Sequence, residues 1–383
     1  MGQDFFEITI NTVKMLAIFL LMVQLVPILV WVERRGSAFI QSRLGPNRVG
    51  PLGLMQLLAD AVKFLQKEEF LPERGLGLVF YAAPVLALVP AALAFASIPL
   101  SAPIHISQFL WNGHKFGPYN FEFQSFHFGV GIVFVLGVSS LGAYSLLMAG
   151  WGSSNKYSLM GALRASAQTI SYELALGLSL VGAIMVFGTF DFSQMVHFQS
   201  APLTSFLGMH FHVPALNWGI FYQPLGAILF FAATFAETNR LPFDLPEAEG
   251  ELVAGYHTEY GGLKMLMFYI GEYGHMLVSS ALMVTFYFGG YLIPGLTVEQ
   301  VHNQIATWVH WGANPIAILT SIVLFIVFFI KVLFFLWVFI WVRWTLPRFR
   351  YDQLMDLGWK TMLPWALFNV ILTGGWMLLM GAH

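Results

Sequence analysis

Residues 315–342, PIAILTSIVLFIVFFIKVLFFLWVFIWV, carry a single charge, Lys331, in 28 positions. A helix over this stretch would be apolar all round, so it has no side to turn to water. Its length exceeds what the roughly 30 Å hydrocarbon core of a bilayer demands. The stretch therefore reads as a membrane span. Seven other runs in the chain have the same character: 8–31, 76–98, 128–150, 166–189, 216–236, 264–292 and 361–381. Pro84 and Pro90 predict kinks in the second of the eight runs. Glu272, Tyr273 and His275 make the sixth the least uniform. Composition points the same way. Of 383 residues, 57 % are apolar and 10 % are charged, and the mean hydropathy is positive. A soluble chain carries about a quarter charged residues. The expected fold is an all-α integral membrane protein, residues 1–383 forming one transmembrane domain of eight helices.

Lysine and arginine choose the orientation. Fifteen of the eighteen fall in four alternate loops. Arg34, Arg35, Arg43, Arg48, Lys63, Lys67 and Arg74 follow the first span, and Lys156 and Arg164 the third. Arg240 and Lys264 follow the fifth, and Arg343, Arg348, Arg350 and Lys360 the seventh. The opposite loops hold only Lys115, while Lys14 and Lys331 fall within spans. The positive-inside rule then places both termini on the outer, periplasmic side and four large loops on the inner face: 32–75, 151–165, 237–263 and 343–360. The N-terminus, MGQDFFEITI, is acidic where a secretory signal is basic, so no cleavable signal is expected. The chain has no cysteine, which excludes disulfides, thiolate catalysis and cysteine-ligated iron–sulfur clusters within it.

The inner loops differ in chemistry. In loop 32–75, the turn-rich 45-GPNRVGPLG-53 precedes a predicted amphipathic helix over 54–68. Leu54, Leu57, Leu58, Ala61, Phe64 and Leu65 make its apolar stripe, with Gln56, Asp60, Lys63 and Lys67 opposite. Such a helix lies in the headgroup layer, or forms a lid whose apolar face meets a greasy substrate; both readings stay open. Loop 343–360, RWTLPRFRYDQLMDLGWK, is an interfacial Arg–aromatic anchor, or a dock for carboxylates or a soluble partner. The stretch 236-AETNRLPFDLPEAEGELVAGYHTEY-260 breaks the charge rule, with six acids against Arg240.

Further carboxylates lie at membrane depth. Glu173 falls in the fourth span beside Tyr172, Glu272 in the sixth beside Tyr273, and Glu33 and Glu237 at the inner ends of spans one and five. One such residue is commonly a satisfied structural group. Several converging from different spans beside an acidic strap read as a proton route from the inner surface into the bilayer core. No metal site is expected, because His210 and His212 have no further ligands near them in sequence. The chain holds no dinucleotide fingerprint, phosphate loop or internal repeat, and no nucleic-acid partner is expected.

Four blocks carry a resemblance. They are VERRGSAFIQSRLGPNRVGPLGLMQLLADAVKF at 32–64, GALRASAQTISYE at 161–173, the 236–260 strap and PRFRYDQLMDLGWK at 347–360. Together they resemble the H-subunit membrane family of respiratory complex I, the proton-pumping NADH–quinone oxidoreductase. The resemblance runs from about residue 10 to 380, and only the outer segments 99–127 and 197–216 look longer than the family's short forms. It implies eight spans with both termini outside, and a chamber through which the isoprenoid tail of ubiquinone or menaquinone enters. It places quinone reduction, FMN and the iron–sulfur clusters on partner subunits, so no catalytic residue is expected in this chain. The implied partners are the peripheral-arm subunits at the quinone site and last iron–sulfur cluster, adjacent small membrane subunits, and lipid. Carried over by position, the quinone chamber would involve Arg34, Arg43, Asp60, Phe64 and Arg343. The coupling route would involve Glu173, Glu237, Arg240, Asp244, Glu247, Glu249, Glu251, Glu272 and Tyr273. The implied location is a bacterial inner membrane rather than a mitochondrial one.

Rival readings use the same residues differently. A stand-alone cation or proton transporter needs no partner. A passive anchor for a soluble redox module keeps its activity without the carboxylates. A related component of a membrane-bound hydrogenase or another quinone or ferredoxin oxidoreductase shares much of the pattern.

Overall fold

The computed structural model describes residues 2–106, 109–111, 114–116, 119–206, 209–213, 215–244, 253–309 and 312–380. Helices dominate. They are α1 (Gly2–Ile40), α2 (Gln56–Gln66), α3 (Gly77–Ala96), α4 (Gly131–Ser139), α5 (Leu141–Gly152), α6 (Lys156–Phe187) and α7 (Phe192–Gln199). Then come α8 (Gly219–Tyr222), α9 (Pro224–Glu237), α10 (Gly262–Tyr287), α11 (Val298–Trp308), α12 (Ala313–Thr345), α13 (Tyr351–Asp356) and α14 (Leu363–Met380). Among the described residues, six helices or helix pairs are long and apolar enough to cross a membrane: α1, α3, α4–α5, α6, α12 and α13–α14. Of the eight expected spans, the fifth is the shorter apolar helix α9 and the sixth is the more polar α10.

The helices begin and end where capping and packing allow, not where hydropathy changes. The loop expected over 151–165 is only a short turn, because Asn155 caps α6 ten residues before the apolar run; its side chain accepts a 3.0 Å hydrogen bond from the Tyr157 N–H. The 343–360 loop shrinks likewise, since α13 and a π-helical turn, Leu357–Met362, lead straight into α14. The segments 99–127 and 197–216 add three small antiparallel hairpins to the otherwise helical fold. These are β1 (Ile104–Ile106) with β4 (Tyr119–Phe121), β2 (Phe109–Trp111) with β3 (His114–Phe116), and β5 (Leu203–Phe206) with β6 (Met209–Val213).

The core centres on α10, buried without a break from Met276 to Tyr287. Lipid supplies no hydrophobic drive between helices, so close packing and polar contacts must hold them. Glycine provides the first. A Cβ added at Gly271 would stand 2.7 Å from the Ala87 carbonyl oxygen of α3, and one at Gly150 would stand 2.3 Å from the Ala162 Cβ of α6. A buried amide network provides the second. Asn369 Nδ2 donates to Gln223 Oε1 at 2.9 Å and Gln223 Nε2 donates to Thr373 Oγ1 at 2.6 Å, tying α14 to the start of α9.

Lys331, the one charge in the opening stretch, is structural. Its Nζ donates to the carbonyls of Phe288, Gly290 and Leu292 at 2.8, 3.0 and 2.6 Å, and lies 4.5 Å from the Trp218 ring centroid. It thereby satisfies carbonyls beyond the end of α10 that no helical N–H reaches.

Candidate functional site

The long α1 carries Glu33 past the apolar run to the end of the bundle that bears the basic loops, where three other elements converge on it. Glu33 is 6 % exposed. Its Oε1 accepts from Nη1 of Arg343 on α12, and its Oε2 accepts a 2.7 Å hydrogen bond from the Tyr273 hydroxyl of α10. Arg240, in the turn after α9 and 7 % exposed, approaches the same Oε2 at 3.9 Å. The other arm of Arg240 reaches Glu272 Oε2 at 3.6 Å, and its guanidinium lies 4.1 Å from the Tyr273 ring centroid. The Tyr256 hydroxyl donates to Glu272 Oε1 at 3.3 Å. Two carboxylates and two guanidiniums thus alternate, Arg343–Glu33–Arg240–Glu272. Alternation is what makes the burial tolerable, because each desolvated charge has an opposite neighbour.

Beyond Glu272 the chain of charges opens onto a cavity of about 50 Å³. Its polar lining includes Glu237, Glu272, His275, Ser139, Ser145, Thr169 and Asn239. That volume holds a few water molecules at one per roughly 10–15 Å³. Glu237 and Ser139 line this cavity together, and Glu173 is the carboxylate that acts electrostatically on Glu237. On the other side, an apolar groove runs between α1 and α12, lined by Leu25, Leu29, Val32, Phe329, Leu336 and Ile340 among others. Val32 precedes Glu33, and Ile340 lies one helical turn before Arg343, so the groove leads to the outermost ion pair.

The segment carrying Arg240 is held from three sides. Gln168 of α6, fully buried, donates from Nε2 to the Ala236 and Phe243 carbonyls at 2.8 and 2.7 Å. Arg348 Nη2 pairs with Asp244 Oδ2 at 3.0 Å, so an arginine of the 343–360 block does dock a strap carboxylate. The Phe349 N–H donates to the Pro242 carbonyl at 3.0 Å, and the Phe349 and Phe243 rings meet at 5.4 Å. Farther along, burial of Tyr260, whose hydroxyl donates to the Phe80 carbonyl at 3.2 Å, pushes its phenol up. At the exposed rim, a 2.5 Å hydrogen bond from Arg350 holds the Asp352 carboxyl below the usual range.

Of the expected chamber residues, the structure gathers some and scatters others. Arg343 heads the ion-pair chain. Arg34 pairs with Asp60 of α2 at 2.5 Å, and Gln56 Nε2 donates to the same carboxylate at 2.9 Å. Phe64 packs edge-on to Tyr269 at 6.4 Å. Arg43 stays outside the group, exposed and bonded to Gln41 at 2.6 Å. The predicted stripe of α2 splits: Leu57, Ala61 and Phe64 turn partly inward together with Asp60, while Leu54, Leu58 and Leu65 remain exposed, as does Val62 outside the stripe. Asp60, placed on the polar face by pattern, is drawn in by Arg34. Of the coupling residues, Glu237, Arg240, Glu272 and Tyr273 converge, Glu173 joins through Glu237, and Asp244 belongs to the clamp. Glu247, Glu249 and Glu251 lie outside the described residues, as do the side chains of His210 and His212. Sequence reasoning counted Glu33 among the carboxylates of a proton route but not among the site residues carried over by position, and left Tyr256 and His275 out of the site. Glu33 had a signal, a carboxylate at a span end, but its partners lie 207, 240 and 310 residues away.

A family model described as NADH dehydrogenase matches residues 13–374. The H subunit of the NADH-quinone oxidoreductase of Bdellovibrio bacteriovorus is 65 % identical over 375 residues, 97 % of each chain. An H subunit of the NADH-quinone oxidoreductase of Cytophaga hutchinsonii is 41 % identical over 369 residues, 96 % of this chain and 97 % of the relative. An H subunit of the same oxidoreductase from Geobacter metallireducens is 41 % identical over 374 residues, 98 % of each.

Proposed function

The chain belongs to the NADH dehydrogenase family, with NADH–quinone oxidoreductase H subunits as its relatives, and on that premise we propose that it forms a quinone-access chamber and couples quinone reduction to proton movement. It is a membrane subunit of that oxidoreductase, and the other subunits of the complex are its partners. In our reading the partners at the quinone site and last iron–sulfur cluster dock on the inner face, FMN and the clusters are theirs, and small membrane subunits flank this one. The eight spans run with both termini periplasmic in a bacterial inner membrane.

One observation carries the reading: an apolar groove, reachable from lipid, leads to the exposed end of a buried chain of alternating charges whose other end opens on a polar cavity. The groove suits an isoprenoid tail, and ubiquinone or menaquinone would fit it alike. Leu58, Val62 and Leu65 on α2 are exposed, as the lipid-facing side of an interfacial helix would be. Arg343 is the first charge that a quinone approaching from the groove would meet. Its side chain is 22 % exposed, against 8 % for the side chain of Glu33. Negative charge arriving there on reduction competes with Glu33 for the guanidinium. Glu33 then draws Arg240 toward itself and away from Glu272. In our reading a proton then passes between the cavity and Glu272, which lines it. The alternating order is what lets one charge change travel inward pair by pair. The acidic strap, with Glu247, Glu249 and Glu251, would supply protons at the inner mouth.

The test uses inverted membrane vesicles containing the whole complex with Glu173→Gln or Glu237→Gln. Quinone reduction driven by NADH and proton uptake are followed together, with NADH–ferricyanide activity as the measure of assembled enzyme. We expect both quinone reduction and uptake to fall by roughly tenfold, equivalent to about 1.4 kcal/mol of barrier. Unchanged rate and ratio would leave the chain a passive anchor, and ion movement without NADH would make it a transporter.

A further inference from the structure

His275 takes no part in the charge chain described above. It lies three residues beyond Glu272 on α10, so the two side chains share one face of the helix, His275 a turn deeper. Both line the cavity, and Glu237 of α9 lines it from another wall. Space for the imidazole comes from Gly142 of α5, where an added Cβ would stand 3.4 Å from Nε2. An imidazole inside a helix bundle is ordinarily fixed by protein hydrogen bonds. Here none is made to a described residue, so the ring nitrogens are left to the cavity. The titratable groups facing the cavity are Glu272 and His275 from α10, Glu237 from α9 and the Tyr256 phenol, with Arg240 behind Glu272.

Glu272 and Glu237 stand on different helices with no hydrogen bond between them, and a carboxylate pair across such a gap needs a carrier. Neutral imidazole accepts at one ring nitrogen and donates at the other, so it can take a proton on one side and release one on the other. We propose that His275 relays protons across the cavity between Glu272 and Glu237. The inference rests on the reading that this cavity belongs to the proton route. It names the group that bridges the redox-facing ion pairs to the Glu237–Glu173 pair.

The experiment compares His275→Gln, His275→Asn and Glu237→Gln in the whole complex in inverted vesicles, normalised to NADH–ferricyanide activity. Glutamine and asparagine fill the space and hydrogen-bond, but neither takes up a proton. The readouts are coupled turnover, its pH profile and its solvent deuterium isotope effect. We expect either His275 variant to lower normalised turnover about fivefold or more, up to the roughly 10²–10⁴-fold of a lost general acid–base. The isotope effect rises as proton transfer becomes rate-limiting, and the pH profile changes shape. If turnover, pH profile and isotope effect stay as in the parent while Glu237→Gln is impaired, the relay bypasses His275 and the inference falls. Turnover that falls with an unmoved pH profile and isotope effect marks a structural role and overturns it equally. If Glu237→Gln is also unimpaired, the reading of the cavity fails first and takes this inference with it.

Discussion

Lys331 and Glu33 are charges placed where lipid or apolar protein would be expected, and each meets the desolvation cost differently. Lys331 uses backbone carbonyls and a tryptophan face, so it is immobile and its role is to finish α10. Lys331→Met should leave three carbonyls without a donor. At roughly 1–3 kcal/mol for each buried group left unpaired, the destabilisation is several kcal/mol. A lowered thermal midpoint of the purified complex, restored in part by Lys331→Arg, would show it, whereas an unchanged midpoint would mean the carbonyls find water. Glu33 uses Arg343, Arg240 and Tyr273, all side chains and not backbone. Arg343→Ala removes one cation from a buried carboxylate, a change worth about 3 kcal/mol where no other partner remains. Arg240 and Tyr273 soften that here. The expected phenotype is an assembled complex whose NADH–ferricyanide activity persists and whose quinone turnover drops, and a complex that fails to assemble would assign Arg343 to stability instead.

At the scale of elements, α6 organises the inner side. Asn155 starts it early, Gln168 clamps the Ala236–Phe243 turn, and the Tyr172 hydroxyl donates to the Leu354 carbonyl at 2.8 Å, reaching α13. The position of Arg240 therefore depends on an amide in another helix. Gln168→Leu should free the Ala236 and Phe243 carbonyls, cost about 2 kcal/mol and loosen the turn. Hydrogen–deuterium exchange of residues 236–244 in the complex should speed up while that of α6 itself does not; equal protection in parent and variant would show that the clamp is redundant. Helix α2 owes its orientation to the Arg34–Asp60 pair as much as to its apolar residues, which is why its stripe divides between the bundle and the outside.

For the whole molecule, the expectation is two faces of opposite use: an inner one of ion pairs and clamps, an outer one of short hairpins. The absence of native cysteine makes sidedness directly measurable, since a single introduced thiol is the only target in this chain. With a membrane-impermeant maleimide, Glu299→Cys on α11 should label in right-side-out spheroplasts and Arg350→Cys only in inverted vesicles. The reverse pattern would overturn the orientation drawn from the positive charges.

Hydropathy and charge by themselves determined that this chain is a helical membrane protein, which loops are basic, and which carboxylates stand at membrane depth. These are properties that each segment carries alone, because lipid acts on a run of side chains whatever lies beside it. Glu173, Glu237 and Glu272, with Tyr273 beside the last, were legible as carboxylate positions for that reason, while Arg240 entered only through the family resemblance. Only the tertiary structure decided that Glu33 sits in the chain between Arg343 and Arg240 with Tyr273 bonded to it, that Tyr256 and His275 belong to its cavity, that Asp60 turns inward and that Lys331 is a cap. Each of these follows from a partner tens to hundreds of residues away. A buried charge is settled by whichever opposite charge or carbonyl the packing brings within about 4 Å, where the interaction exceeds what water offers.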